Sequence, residues 1–264
     1  MKNYIKTKFF SRLMKISFFE EFPTPTNLSK LRVVNWPTKI YLAAPSLAEF
    51  KEKQKTLKKK VKEIIYWPIL SKKEGYWISP FSQTAALRRI FQELKNKEVP
   101  VMLDLELPTS KNPLLYFTEL VHFQLNKKII KKFIHNYSGQ IYLTEYYPEG
   151  QTQERRLAQL GLHYPTKKVK IIKMLYHSLH HFTPKFLREE LLLGKKEYGD
   201  NYLVGFGTIA KGINGNEAIL SSAQLLQDLQ IARESKIKEV VIFRLGGFNH
   251  KFKKTLQKLS KTTS

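Results

Sequence analysis

Eight short runs of apolar, β-branched and aromatic residues recur along the chain, each followed by turn residues and then by a helical or irregular stretch. They are Ile16 to Phe22, Lys39 to Ala44, Glu63 to Trp67, Val99 to Leu107, Gln140 to Tyr147, Val169 to Tyr176, Tyr202 to Thr208 and Glu239 to Leu245. Between them the pattern predicts helices over Leu47 to Lys60, Thr84 to Lys95, Leu114 to Ile134, Gln153 to Leu160, Pro184 to Leu193, Ser221 to Ser235 and His250 to Leu259. The first connection, around Asn27 to Val34, is shorter. Strands that are apolar along most of their length and alternate with helices belong to parallel sheets covered on their outer face. Eight such units in 264 residues predict a single (β/α)8 barrel domain over 1–264. An open doubly wound sheet is the alternative.

Local punctuation agrees with this division. Ser46 precedes Leu47-Ala48-Glu49 with capping-box spacing, Ser82 precedes Gln83-Thr84 in a similar way, and Thr183-Pro184 puts proline at a first helical position. No glycine/serine-rich linker splits the chain.

Composition limits the function classes. A hydrophobic fraction of 42% with 17 Phe favours a folded protein. No stretch approaches the roughly 20 uninterrupted apolar residues of a membrane span. The basic N-terminus is followed by an apolar segment cut by Arg12 and Lys15, without a small-residue cleavage site, so a cytoplasmic location is expected. With no cysteine, thiolate metal sites and cysteine nucleophiles are excluded. The excess of 46 Lys+Arg over 22 Asp+Glu gives +24, which attracts polyanions unless it only reflects a Lys-rich composition. The densest basic run, Lys51 to Lys62, reads as a solvated helix face.

In a barrel, chemistry belongs at the carboxyl ends of the strands. Five acids stand there in an acid-poor chain: Glu20 and Glu21 after the first run, Asp104 and Glu106 in the fourth, and Glu145 in the fifth. Asp104-Leu105-Glu106 closes an apolar run, and residues i and i+2 of a strand share a face, so the two carboxylates lie together. Neighbouring carboxyls cannot all ionise cheaply, which leaves a proton donor beside a carboxylate, as glycoside cleavage requires. If the strand persists, Glu20 and Glu21 face opposite ways. Tyr176 and His177 end the sixth run and Arg244 lies in the eighth.

Leu103-Asp104-Leu105-Glu106 resembles the second half of the D-G-x-D-x-D-x-E signature of chitinase-type (family 18) glycoside hydrolases, and Met174-Leu175-Tyr176-His177 resembles their M-x-Y-D. Both fall on the strands where that family keeps them. The resemblance implies that Glu106 protonates the glycosidic oxygen, that Asp104 orients the substrate's acetamide as it attacks, and that Tyr176 hydrogen-bonds that acetamide. Val99 and Met102 stand where the signature has its earlier aspartates, its glycine is absent, and His177 replaces the final aspartate of the second motif.

Further residues extend the candidate site. Trp67, Tyr76, Trp77, Phe81, Tyr146 and Tyr147 gather near the same rim, where aromatic faces stack on sugar rings, and the loop from Glu74 to Phe81 is expected to fold over the barrel top. Gly207 and Gly212 after the seventh run, and Gly246 and Gly247 beside Arg244 after the eighth, match the position of barrel phosphate sites. His177, His180 and His181 fit no standard zinc spacing, so neither a metal nor a cofactor is expected. The expected catalytic set is Asp104, Glu106, Glu145 and Tyr176. The expected substrate-binding set is Glu20, Trp67, Trp77, His177, Gly207, Gly212, Arg244, Gly246 and Gly247.

The leading expectation is a glycoside-hydrolase-like barrel that cleaves a glycan by carboxylate acid/base catalysis. The alternatives are a barrel acting on a phosphorylated small molecule, as a phosphodiesterase or as a lyase or isomerase, and a non-catalytic barrel that binds polyanions. Fold alone does not separate them.

Overall fold

The computed structural model describes residues 14–57, 61–107, 121–147 and 153–261. Its strands are β1 (Lys15–Glu20), β2 (Lys39–Ala44), β3 (Glu63–Pro68), β4 (Val101–Leu105), β5 (Ile141–Tyr146), β6 (Val169–Met174), β7 (Tyr202–Gly207) and β8 (Glu239–Phe243). Among the described residues the α-helices are α1 (Pro25–Ser29), α2 (Leu47–Leu57), α3 (Thr84–Leu94), α4 (Phe123–Asn136), α5 (Gln153–Gln159), α6 (Pro184–Tyr198), α7 (Ser222–Glu234) and α8 (His250–Lys261). The strands join in chain order into a closed barrel, the (β/α)8 architecture that the alternation predicts. An open sheet is thereby excluded. None of the described helices is long and apolar enough to cross a membrane.

The chain forms two compact units. One holds β1, the start of β2, the end of β6, β7 and β8, and the other holds the end of β2, most of β3, β4, β5 and the start of β6. Within the second unit, Tyr66 packs its ring on Phe50 of α2 at 4.9 Å between centroids, so Tyr66 faces the helices. Val101 pairs with Tyr66 in register and shares that outer face. Side chains alternate along a strand, so Met102 and Asp104 point inward. The β4–β5 register sets Asp104 beside Thr144 and Leu105 beside Glu145. Thr144 is therefore inward and Glu145 outward.

In the first unit, Phe18 lies on Phe248 and Trp36 outside the sheet, whereas Phe19 meets Tyr41 and Phe243 on the other face. By the same alternation Glu20 faces outward with Phe18, and Glu21, one residue past the strand, follows Phe19. Near the amino-terminal ends of the strands, Lys39 Nζ lies 3.0 Å from Glu63 and 3.2 Å from Glu239, which also accepts from Ser17 at 2.7 Å. This charged layer, with Lys39 and Glu239 buried and Glu63 half-buried, is partnered on every member and belongs to the stability end of the barrel.

Helix starts follow the side chains available. Ser46 accepts from Glu49 N at 3.2 Å, Thr183 from Phe186 N at 3.1 Å ahead of Pro184, and Ser221 from Gln224 N at 3.1 Å. Ser82 departs from expectation. Its hydroxyl donates to the Trp77 carbonyl at 2.8 Å, and α3 starts after Gln83 without a side-chain cap. The expected helix from Leu114 corresponds to α4 from Phe123, its first part lying outside the described residues, as do residues 58–60 at the end of the helix expected from Leu47.

Candidate active site at the strand ends

The carboxyl pair on β4 sits as its spacing predicts. Asp104 is 3% exposed, and Thr144 Oγ1, its register neighbour, donates to its Oδ1 at 2.5 Å. Burial pushes the Asp104 carboxyl up to about 6, and side-chain hydrogen bonds from Thr144 and Glu106 pull against that rise. Two carboxyls thus meet on the inner face of one strand. Glu106, just beyond the end of β4, is only half-buried and keeps contact with solvent.

Glu145 stands apart from this pair. It is fully buried on the outer face of β5, and its Oε1 lies 2.8 Å from His163 Nδ1 in the connection after α5. The one-residue register offset that makes Thr144 the neighbour of Asp104 turns Glu145 toward the helices. Trp67 is buried, and its place one residue after Tyr66 puts it on the inner face. Trp77 is half-buried and meets Tyr76 edge-on at 5.6 Å. The loop expected as a cover is packed down instead, with Tyr76, Ile78, Ser79 and Phe81 all buried and Ile78 N donating to the Asp104 carbonyl at 3.0 Å.

In the other unit, Glu20 is an anchor. Its Oε1 accepts from Phe22 N at 2.9 Å, Asn27 Nδ2 at 3.3 Å and Arg244 Nη1 at 3.2 Å, and its Oε2 accepts from Gly246 N at 2.7 Å. Burial raises its pKa, while the Arg244 charge and these donors oppose the rise. Arg244 also donates from Nε to the Lys211 carbonyl at 2.9 Å and lies 4.7 Å from the centre of the Phe22 ring. Both members of this pair are engaged within the protein.

Glu21 was absent from the expected binding set, yet it is the acid that follows the inner face of β1. A Cβ built on Gly212 would lie 2.9 Å from Glu21 Oε2, 3.0 Å from Glu217 Oε1 and 3.0 Å from Phe243 Cζ. Two carboxylates therefore crowd this glycine. Alternation past Phe19 was the signal that could have selected Glu21 over Glu20, once the sheet's inner face is known.

The remaining glycines have local packing reasons. Gly207 leaves room for the Phe243 carbonyl, which a Cβ would approach to 2.9 Å, and Gly247 lies directly on the Ile209 carbonyl. Tyr176 is buried, with its ring 6.0 Å from Phe243 and close to Gly205. His177 turns to α7: its Nδ1 lies 2.9 Å from Asp228 Oδ1, and its Nε2 lies 2.8 Å from the Phe182 carbonyl. Burial pushes the His177 pKa down, but the hydrogen bond and charge of Asp228 and the Phe182 carbonyl together outweigh it, and the net shift is upward. With Nε2 on the Phe182 carbonyl and Nδ1 beside the Asp228 carboxylate, His177 lies between the loop after β6 and α7. Among the described residues, no group of three or more His, Asp or Glu is placed to hold a metal ion.

No family model and no curated protein matches the chain. Among solved structures it is similar to a glucosidase from Croceicoccus marinus, with a TM-score of 0.51 and 10% identity over 95% of this chain and 67% of that one. It is also similar to a chitinase from Chromobacterium violaceum, with a TM-score of 0.50 and 8% identity over 93% of this chain and 98% of that one. At such identities the likeness is one of fold, and it places the chain among (β/α)8 barrels.

Proposed function

We propose that the protein is a glycoside-hydrolase-like enzyme in which Glu106 is the general acid and Asp104 the neighbouring carboxylate. The observation that carries this reading is the inner-face pair itself: a buried Asp104 with its pKa raised to about 6, hydrogen-bonded to a half-buried Glu106 that reaches solvent. Such a pair supplies what glycosidic cleavage needs. Glu106 gives its proton to the departing glycosidic oxygen while the substrate's acetamide oxygen attacks the anomeric carbon, and ionised Asp104 stabilises the positive charge that develops on the acetamide. Water then opens the cyclised intermediate and returns the proton to Glu106. Solved barrels of similar fold include a glucosidase and a chitinase, which is consistent with a carbohydrate substrate.

The phosphate alternative finds less support. The Gly246 N–H and the Arg244 guanidinium are both given to Glu20, and Gly212 faces two carboxylates that would repel an anion.

Hydrolysis should be sought across a glycan panel that includes N-acetylated sugars, with wild type and Glu106→Gln side by side. The variant should lose about 100- to 10,000-fold in turnover, the usual contribution of general acid catalysis. Its melting temperature should stay within a few degrees. Equal turnover in the two proteins, or no hydrolysis of any glycan by wild type, would end this reading.

A further inference from the structure

Asn126 is fully buried on α4, where the other buried positions, Ile130 and Ile134, are apolar. A buried amide is tolerated only when its polar atoms are matched. Here they are: Nδ2 donates to the Pro80 carbonyl at 2.9 Å and the Ser82 carbonyl at 2.8 Å, and Oδ1 accepts from Thr84 Oγ1 at 2.7 Å. All three partners lie in five consecutive residues, where the loop after β3 turns into α3. One side chain of α4 thus grips the corner of a different βα unit.

That corner is closed on itself. Ser79 N donates to Ser82 Oγ at 3.0 Å, Phe81 N to Ser79 Oγ at 3.1 Å, and Ser82 Oγ to the Trp77 carbonyl at 2.8 Å. Gly75, in the left-handed region at φ 112°, brings the loop so close that an added Cβ would lie 3.1 Å from Ser82. The other end of the loop reaches the candidate acid pair. Tyr66 N donates to the Pro100 carbonyl, so continued pairing of β3 with β4 would give the Asp104 carbonyl to Leu70 N. Instead Leu70 N donates to the Tyr76 carbonyl at 2.7 Å within the loop, and Ile78 N takes the Asp104 carbonyl at 3.0 Å. The loop completes the strand's hydrogen bonding at the residue that carries the carboxylate.

We infer that Asn126 is a positioning residue for the Asp104–Glu106 pair, acting through the Pro80–Ser82 corner and the Ile78 hydrogen bond to the Asp104 backbone. Loosening the corner frees the end of β4 and admits water to Asp104. Misplacement by about 1 Å of groups far from the chemistry can lower rates by roughly 100-fold. On the inner faces of β4 and β5, the ionisable groups around Asp104 are Glu106 beside it and Tyr142 and Tyr146 on the neighbouring strand. Lys170 of β6 lies over the Tyr142 ring at 5.3 Å.

The test is a ¹³C NMR titration of the Asp104 carboxyl in the full-length protein, for wild type, Asn126→Ala and Thr84→Val, with melting temperatures measured alongside. The Asp104 midpoint should fall in Asn126→Ala from about 6 toward the ordinary carboxylate value of about 4, and by a smaller step in Thr84→Val, which removes one of the three bonds. An unchanged midpoint with a lowered melting temperature would make Asn126 purely structural and overturn the inference. Should Asn126→Ala fail to fold, Thr84→Val decides by the same criterion. The catalytic consequence rests on the glycosidase-like reading: kcat should fall at least tenfold in Asn126→Ala while KM stays within threefold. Because the titration uses no substrate, a midpoint that moves in a protein that cleaves no glycan would uphold the positioning and reject the enzyme assignment alone.

Discussion

Asp104 and Glu20 are both buried carboxylates at strand ends, and burial pushes the pKa of each upward. They differ in face and in company. Glu20, outward on β1, is held by Arg244, Asn27 and two backbone N–H groups, from Phe22 and Gly246. Asp104, inward on β4, has Thr144 and the acid Glu106. A carboxylate ringed by donors and a guanidinium ties loops together; one that lies against another carboxyl is placed for proton transfer. Enrichment of acids at strand ends therefore mixes two populations, and the face of the sheet separates them. Glu145, outward and paired with His163, belongs with Glu20.

The largest effect should come from Asp104→Asn, with turnover lowered about 100-fold or more on any substrate that wild type cleaves. Stability should move the other way. The folded pKa of Asp104 is raised from 3.8 to about 6, so the folded state binds the extra proton between those values, and wild type loses stability as pH rises through them. Asparagine carries no such charge. The melting temperature of Asp104→Asn at pH 7 should equal or exceed that of wild type; a clear drop would show that Asp104 is a structural carboxylate like Glu20.

Arg244→Met tests the opposite case. Removing one member of a buried pair commonly costs roughly 3–5 kcal/mol, and chemical denaturation at pH 7 should show a loss of that order. A change under about 1 kcal/mol, the range of exposed ion pairs, would mean that Glu20 is solvated and the contrast false.

Glu145→Gln should be milder, with stability lowered by roughly 1–3 kcal/mol through its hydrogen bond to His163 and turnover kept within about threefold. A fall in turnover comparable to that of Asp104→Asn would return Glu145 to the catalytic set.

How much of this was legible beforehand depends on what each feature needs. The eight strands and their order needed only local apolar runs and alternation, and the Asp104–Glu106 pair needed only the two-residue period of a strand. The position of Glu145 needed the β4–β5 register, where a one-residue offset turns a side chain from one face to the other. Choosing Glu21 over Glu20 needed the barrel's inner face, which is fixed by contacts such as Phe19 with Phe243. His177 stands out in the sequence by its place in a motif, but the Asp228 it faces lies 51 residues away on α7, a separation no local pattern spans. Asn126, one polar residue in an amphipathic helix, carried no signal at all.

The smallest effect concerns His177. Its folded pKa is raised above 6.5, so its bond to Asp228 contributes stability fully below that value and loses it as pH rises through the folded midpoint. Melting temperatures of Asp228→Asn should lack this decline, and parallel curves for the two proteins would show that the pair does not titrate.

The contrast between the two faces is tested most directly by the titration of the wild-type carboxyl carbons, assigned by ¹³C NMR, at Asp104 and Glu106 together. An Asp104 midpoint near 6 is expected, with the Glu106 resonance responding in the same pH range because the two carboxyls are in contact. Independent midpoints near the ordinary carboxylate value of about 4 at both residues would contradict it.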